Sequence, residues 1–371
     1  MTVLPARDWF KLVFSTTLVT KLILAHVLPI TGDEAYFLTW GKFPDFGYYD
    51  HPPMIGWILR LMLYLGDATW LIRLPVVAVT SAIGLLIFST LRRGDETKAS
   101  LVASLYLLSP LNVIGVLITT DTPLILFSFL SVLCLDLALR RDRTLLYGLA
   151  GAFLGLALLS KYIAVLLALA YVAYFVGTKK LHSHARGFSL LILCALPSAA
   201  LNAYWNYGHC WTNLLFNLYN RNVGEQIEAR KVVIFAVIQI YLLTPPVLYF
   251  LFQQRKRIGE RVRAAGDGLY LYAFLVPLML FALLSVTKVI GLHWALSFYT
   301  FLYFIFYAVL SIEALKVCVR FMAFFTAAHL LAVVVALAVP LQAWHTTPYY
   351  PSLVLMVKGD ELLAQLAAYP P

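Results

Sequence analysis

The sequence predicts an all-α polytopic membrane protein with about eleven transmembrane helices, and three observations predict it. Of the 371 residues, 62% are hydrophobic and only 12% are charged, too few charges to cover a soluble domain of this size. The apolar residues come in unbroken runs such as Ile163 to Ala170, where the strands of a membrane barrel would alternate apolar and polar positions. The net charge of +10 is gathered in short basic clusters between those runs, which is the pattern of membrane topology and not of a nucleic-acid surface.

A hydrocarbon core of about 30 Å is crossed by about 20 residues of helix. The first run, 12–30, lacks a small-residue cleavage site and reads as a retained helix. The spans that follow are 70–91, 99–118, 123–139, 145–160, 162–178, 187–207, 232–252, 268–287, 295–311 and 321–343. With the N-terminus inside, the inner segments carry Arg7 and Lys11; Arg92, Arg93 and Lys98; Arg140, Arg141 and Arg143; Lys179, Lys180 and Arg186; Arg255, Lys256, Arg257, Arg261 and Arg263; and Lys316 and Arg320. Basic residues on every inner segment fix the orientation.

The other face holds Asp33, Glu34, Asp45, Asp50, Asp67, Asp121, Glu225, Glu228, Asp360 and Glu361, together with the two longest interhelical loops, about 31–69 and 208–231. Short inner connectors and elaborated outer loops put the work outside. Residues 1–343 read as one transmembrane unit, and 344–371 as a tail too short for a core of its own. Cys134 and Cys194 are expected inside helices and Cys318 near the inner face, which leaves Cys210 without an oxidising partner and indicates neither a disulfide framework nor a zinc site.

In the first outer loop, Asp33 and Glu34 stand where the first span leaves the hydrocarbon. Partial desolvation there would raise a carboxylate's basicity and suit a general base. The competing reading has Asp33 capping a short helix that starts at Glu34. Pro52-Pro53 can open a helix, and 54–62 is too short to cross, so it reads as an interfacial helix with Trp57 and Arg60 at headgroup level. Asp50 and His51 then lie at its start, beside the acidic pair. His51 by itself also fits a hydrogen-bonded loop histidine.

Asp121 joins the third and fourth spans and could either line a site or cap the fourth span, with Thr122 and Pro123 in its first turn. Lys161, between Ser160 and Tyr162, must lie at the end of a helix pair, because a lysine at the bilayer centre is costly. Lys21 is expected to snorkel or to face the bundle. The second long loop interleaves rings and amides, Trp205 and Asn206 among them, as a sugar site or an interface belt would. Arg221, Arg230 and Lys231 are basic residues on the side where they are disfavoured, which suggests an anionic ligand such as a lipid phosphate, or ordinary headgroup contact. Lys288, His293 and Trp294 add to the same cavity.

The stretches Gly-Asp-Glu-Ala-Tyr at 32–36, Tyr-Tyr-Asp-His-Pro-Pro at 48–53, Arg-Leu-Pro at 73–75, Thr-Asp-Thr-Pro at 120–123, Leu-Leu-Ser-Lys-Tyr at 158–162 and Asn-Ala-Tyr-Trp-Asn at 202–206 together resemble the protein-mannosyltransferase-like bacterial glycosyltransferases of the GT-C fold, which include the lipid A aminoarabinose and galacturonic acid transferases. Six weak motifs in order are fairly specific. The resemblance implies a polyprenyl-phosphate sugar donor, a lipid or glycan acceptor on the periplasmic side of the bacterial inner membrane, and inversion at the anomeric carbon. It implies Asp33 as catalytic base, Glu34, Asp50 and Asp121 as acids lining the site, and Lys161 as a basic position. Some relatives carry lysine where this chain has His51, so a charge there depends on pH. The large periplasmic C-terminal domain of some relatives is absent.

On this reading Lys161, Arg221 and either Arg60 or Lys288 stabilise the departing phosphate, and Tyr162, Trp205, Asn206 and His293 contact substrate. No cofactor is required, although a divalent metal could bridge acids and phosphate. The competing class is a transporter or flippase for a lipid-linked sugar, which would place its ionisable residues near mid-membrane on repeated, interrupted helices. A noncatalytic assembly subunit leaves the ordered polar motifs unexplained.

Overall fold

A computed structural model describes residues 4–266 and 268–368, among which the chain is helical and no strand occurs. Residues 369–371 of the tail lie outside the described residues, as does the side chain of Asp360. The helices run α1 (Ala6–Val27), α2 (Gly32–Lys42), α3 (Met54–Leu65), α4 (Thr69–Ile72), α5 (Leu74–Leu91), α6 (Glu96–Leu107), α7 (Pro110–Ile114), α8 (Asp121–Arg141), α9 (Thr144–Leu158) and α10 (Val165–Gly177). They continue as α11 (Ala185–Gly208), α12 (Thr212–Leu218), α13 (Ala229–Leu243), α14 (Pro245–Gln254), α15 (Ile258–Ala265), α16 (Gly268–Leu284), α17 (Leu296–Tyr299), α18 (Leu302–Val309), α19 (Ile312–Ala338) and α20 (Tyr350–Ala367).

All eleven apolar runs contain helix, and α1, α5, α8, α11 and α19 are long and apolar enough to cross a membrane unbroken. Three of the expected spans are interrupted within the bundle, two of them at proline. The run 99–118 stops at Leu107 because Ser109-Pro110 opens a separate short helix, and the chain beyond Gly115 is no longer helical. Proline lacks the N–H that would continue the ladder. The run 232–252 turns by 91° between α13 and α14 at Thr244, whose φ is +65°, followed by Pro245-Pro246. The run 295–311 bends by 54° between the short helix Leu292–Tyr299 and α18.

Helices α8, α9 and α11 form the most closely packed layer. A Cβ at Gly151 of α9 would collide with the Leu191 carbonyl of α11, and one at Gly155 would crowd Ser198. Small residues let the two backbones approach where lipid gives no hydrophobic drive. The apolar core runs through α6, α8, α10, α16 and α18, with Leu107, Phe175, Phe301 and Leu315 of α19 fully enclosed.

Contacts among the connectors fall in two groups. At one end Arg7 pairs with Glu96, Arg261 Nη1 donates to Val309 O at 2.6 Å and Lys98 sits over the Tyr307 ring. At the other end the first long loop meets the second. Within it α2 packs along α3, whose outward residues Leu61, Tyr64 and Leu65 stay exposed, as an interfacial pair requires. Cys134 and Cys194 lie in helices, Cys318 is buried and Cys210 is exposed, all four as free thiols.

Candidate active site

The acidic pair of the first loop divides into two roles. Thr31 is the N-cap of α2: its hydroxyl accepts from the Glu34 amide, while the Glu34 carboxylate accepts from the Thr31 amide at 3.0 Å. The cap is therefore Thr31 and not Asp33. Glu34 is fully buried against an equally buried Arg73, with the two Nε/Nη2 contacts both at 2.7 Å. Arg73 also donates to the carbonyls of Ala25, Leu28 and Pro29, and Glu34 accepts from the Ile118 amide at 3.0 Å. One bidentate pair thus ties the end of α1, the start of α2, the start of α5 and the irregular segment 115–120 into one corner. Glu34 has no free lone pair directed at a ligand. Asp33, one residue earlier, is exposed rather than desolvated.

Asp121 begins α8, one residue after its N-cap Thr120. Both of its oxygens lie 2.8 Å from Lys161 Nζ, and both residues are buried. Lys161 stands in the break between α9 and the single turn that precedes α10, where an extended residue can turn its side chain inward. This pair separates two cavities.

The larger cavity, ≈ 600 Å³, is lined by Asp50, His51, Lys161, Tyr162, Asn202, Asn217, Arg221, Lys288 and Trp294 at one side, and by Leu158, Ile163, Leu166, Phe281 and Leu284 at the other. It shares the wall residues Leu158, Val165 and Ala199 with an almost wholly apolar cavity of ≈ 270 Å³ between α9, α10 and α11. Arg221 and Lys288 lie over the Trp294 ring, 5.5 and 5.8 Å from its centroid. Burial, and then the charge of Arg221, lower the Lys288 ammonium below the usual lysine value. The Asn202 side-chain nitrogen is buried there without a hydrogen-bond partner.

The smaller cavity, ≈ 250 Å³, lies on the Asp121 side and is lined by Thr80, Ser109, Asn112, Thr122, His293 and Thr300, with Tyr106, Tyr299 and Tyr303. His293 lies within the field of Asp121, Lys161, Arg221 and His51, so charged groups from five separated stretches of sequence converge on one place.

Asp50 is 3.0 Å from His51 Nδ1 and accepts from the Tyr36 hydroxyl at 3.2 Å. Burial alone would raise its carboxyl, but the His51 contact and charge, with Tyr36, hold it below the usual carboxylate value. The second long loop clasps this segment. Asn213 donates to Tyr48 O and Asn217 to Asp50 O, and Trp205 Nε1 donates to Asp45 Oδ1 at 3.0 Å. Trp205 lies against Gly47, where a Cβ would overlap the indole.

Several expected site residues take other work. Arg60 lies on α3 against the Tyr64 ring and lines neither cavity, because α3 turns it toward its own helix surface. Trp205 and Asn206 are buried in the clasp and in the α11–α12 corner, where Asn206 accepts from the Leu214 amide, so they shape the site without lining it. Lys231 is held by Glu225 and Glu228 and by the carbonyls of Gln226 and Thr287, which takes it out of reach of an anionic ligand. Asp33 also lines neither cavity. Arg73, Asn202 and Asn217 were missed. For Arg73 a signal was available: an arginine opening an apolar run needs a buried acid. Among the described residues no three His, Cys, Asp or Glu side chains group as metal ligands.

Residues 50–205 match the family profile of dolichyl-phosphate-mannose-protein mannosyltransferases, a stretch that contains Asp50, His51, Arg73, Asp121, Lys161 and Asn202. The structure resembles the crystal structure of ArnT from Cupriavidus metallidurans bound to undecaprenyl phosphate, with a TM-score of 0.64 over 88% of this chain and 65% of that one, at 18% identity. The fold is GT-C. The resemblance read from the motifs is borne out over the matched residues, which do not include the stretch at 32–36. A lipid A galacturonosyltransferase, RgtD of Rhizobium johnstonii, is 28% identical over 181 residues, which are 48% of this chain and 38% of that protein. The chain spans under two thirds of either relative's length.

Proposed function

We propose that the chain is an inverting glycosyltransferase of the bacterial inner membrane, with its N-terminus cytoplasmic. It moves a sugar from a polyprenyl-phosphate donor to a lipid or glycan acceptor on the periplasmic side, a lipid A-like glycolipid above all. One observation carries the reading: a cavity with a cationic end, Lys161, Arg221 and Lys288, shares the wall residues Leu158, Val165 and Ala199 with an apolar groove between α9, α10 and α11. A phosphate bearing an isoprenoid tail has that division of polarity. The hydroxyl-lined cavity beyond Asp121 has the size and donors for a monosaccharide. The relatives named for lipid A transfer and for undecaprenyl phosphate support the same chemistry.

In the proposed reaction Asp33, which faces solvent outside both cavities, takes the proton of an acceptor hydroxyl brought in from that exposed side, and the oxygen forms a bond to the anomeric carbon from the face opposite the phosphate. The carbon–oxygen bond to phosphate breaks, and polyprenyl phosphate leaves with the electron pair. Lys161, Arg221 and Lys288 stabilise that charge as it develops. Asp33 is chosen because the other acids are engaged: Glu34 by Arg73, Asp121 by Lys161, Asp50 by His51 and Tyr36, Asp45 by Trp205, and Glu225 and Glu228 by Lys231. Among the described acids of the first loop, Asp33 and the more distant Asp67 have no such partner.

The test is release of polyprenyl phosphate by the purified chain from a panel of polyprenyl-phosphate sugars with membrane-extracted acceptors. Release that disappears in D33N, with donor binding kept, supports the transferase. Movement of the lipid-linked sugar across liposomes without release would replace it with a carrier.

A further inference from the structure

The end of the bundle where Arg7 pairs with Glu96 holds a group of cations that the proposed reaction does not use. Three stretches of chain meet there on the last turn of α18. Lys98, in the first turn of α6, holds its ammonium over the Tyr307 ring, 5.2 Å from the centroid. The α5–α6 turn comes in beside it, and Gly94 lies so close to the Tyr307 hydroxyl that a Cβ would collide with that oxygen. Two residues further along α18, Arg261 of α15 donates from Nη1 to the Val309 carbonyl at 2.6 Å, one of the carbonyls that a helix end leaves without an intrahelical partner. The packing thus brings Lys98 and Arg261 side by side, each within the field of the other.

Neither cation has an acid to itself. Among the described residues no carboxylate lies within ion-pair distance of the Lys98 ammonium or the Arg261 guanidinium, and Arg261 Nε and Nη2 have no acceptor. Asp95 caps α6, its Oδ1 accepting from the Lys98 amide at 2.9 Å, and acts on the ammonium only through space. Glu96 pairs with Arg7, and Glu260 and Glu313 are exposed. Lys98 and Arg261 are both half-buried, so water screens their repulsion incompletely. An anion seated between them turns that repulsion into two charge-assisted bonds.

The surroundings indicate the kind of anion. Arg92 and Arg93 on the α5–α6 turn, and Arg257 and Arg263 about α15, are exposed and add to the positive field. Helix α14, which leads into α15, packs on α19, which follows α18, and the two expose Phe252 and Val317. Arg255 lies over the Phe252 ring at 4.0 Å. Cations bordered by exposed apolar side chains match a molecule that carries both a phosphate and acyl chains. We propose that Lys98 and Arg261 form a binding site for the headgroup phosphate of an anionic phospholipid, whose acyl chains lie along α14 and α19. The site is separate from the candidate active site, since neither residue lines either cavity.

The experiment titrates the purified chain in detergent, at about 0.15 M salt, with phosphatidylglycerol, phosphatidylcholine and free glycerol phosphate, and reads retained lipid by native mass spectrometry. Phosphatidylglycerol should be retained as a single molecule, about tenfold tighter than phosphatidylcholine, whose choline offsets the phosphate charge. In K98M its affinity should fall to within about twofold of phosphatidylcholine, whose own affinity stays unchanged. R261Q, which can still donate to the Val309 carbonyl, should do the same, and it decides the matter if K98M does not fold. K256M removes an equal charge from an exposed position in the connector that leads into α15, and should cost less than about twofold. Equal retention of the two lipids by wild type overturns the proposal. So does an equal loss in K256M and K98M, which describes a diffuse basic surface and no site. A K98M loss shared by both lipids marks a purely structural lysine and also overturns it. Displacement of the lipid by glycerol phosphate at matched concentration assigns the site to a soluble phosphate and removes the lipid.

Discussion

Replacing Arg73 with methionine deletes a guanidinium that makes five hydrogen bonds, two to Glu34 and one each to the carbonyls of Ala25, Leu28 and Pro29. Both members of the ion pair are 0% exposed, so the remaining carboxylate has no route to water without opening the corner. Removing one partner of such a pair costs about 3–5 kcal/mol. Each orphaned carbonyl adds up to about 1–3 kcal/mol if it stays dry, though the last carbonyls of α1 can relax, so the pair sets the lower bound. For a chain of this size that bound lowers the unfolding midpoint by roughly 4–6 °C. The assay is thermal unfolding in detergent, followed by tryptophan fluorescence, for wild type, R73M, E34Q and the double variant. The double variant should recover at least about 1 kcal/mol relative to R73M, since the carboxylate left behind is then neutral. An R73M protein that melts within about 2 °C of wild type would refute the idea that this pair pins α1, α2 and α5 together.

Four further outcomes follow from the same geometry. D33N should lower transfer by a factor of about 10² or more while leaving the melting midpoint unchanged, because Asp33 is exposed; a drop in stability instead would make it structural. K161M should weaken donor binding and stability together, and D121N/K161M should be more stable than K161M alone, as thermal melts can show; equal stability would mean that Asp121 is not buried as charge. The acidified Asp50 carboxyl stabilises the clasp fully above the ordinary aspartate value near 3.9, and that contribution disappears as pH falls through the lower folded value; H51F should therefore flatten the acid limb of the melting profile. Because Lys288 loses its proton below the usual lysine range near 10.4, phosphate affinity should decline with rising pH earlier in wild type than in K288R, read by titration with polyprenyl phosphate.

The parts of this fold that were legible in the sequence are those written as contiguous composition. Each of the eleven apolar runs contains helix, whereas α2, α12, α15 and α20 lie outside them, in segments read as loops or tail. The interruptions were legible too, at Pro110 and at Pro245-Pro246, since proline cannot continue a ladder; drawing straight spans through them overrode that signal. Thr31-Gly32-Asp33-Glu34 carries the spacing of a capping box, which assigns the cap to Thr31 and frees Asp33. What the sequence could not supply was pairing at long range. Nothing local in Trp205 says that it reaches Asp45, or in Asp121 that its partner is Lys161, because those contacts exist only once α8, α9 and α11 are packed.

A partition built from a single ion pair puts its two chambers electrically in series. An anion that settles against Lys161 from the larger cavity competes with Asp121 for the same ammonium. Whatever share of that bond it takes reappears as uncompensated negative charge facing the smaller cavity, where it draws hydroxyl hydrogens toward it. Linkage makes the effect run both ways: a guest that donates to Asp121 loosens Lys161 toward the phosphate side. Filling either room changes the affinity of the other, with no helix having to move.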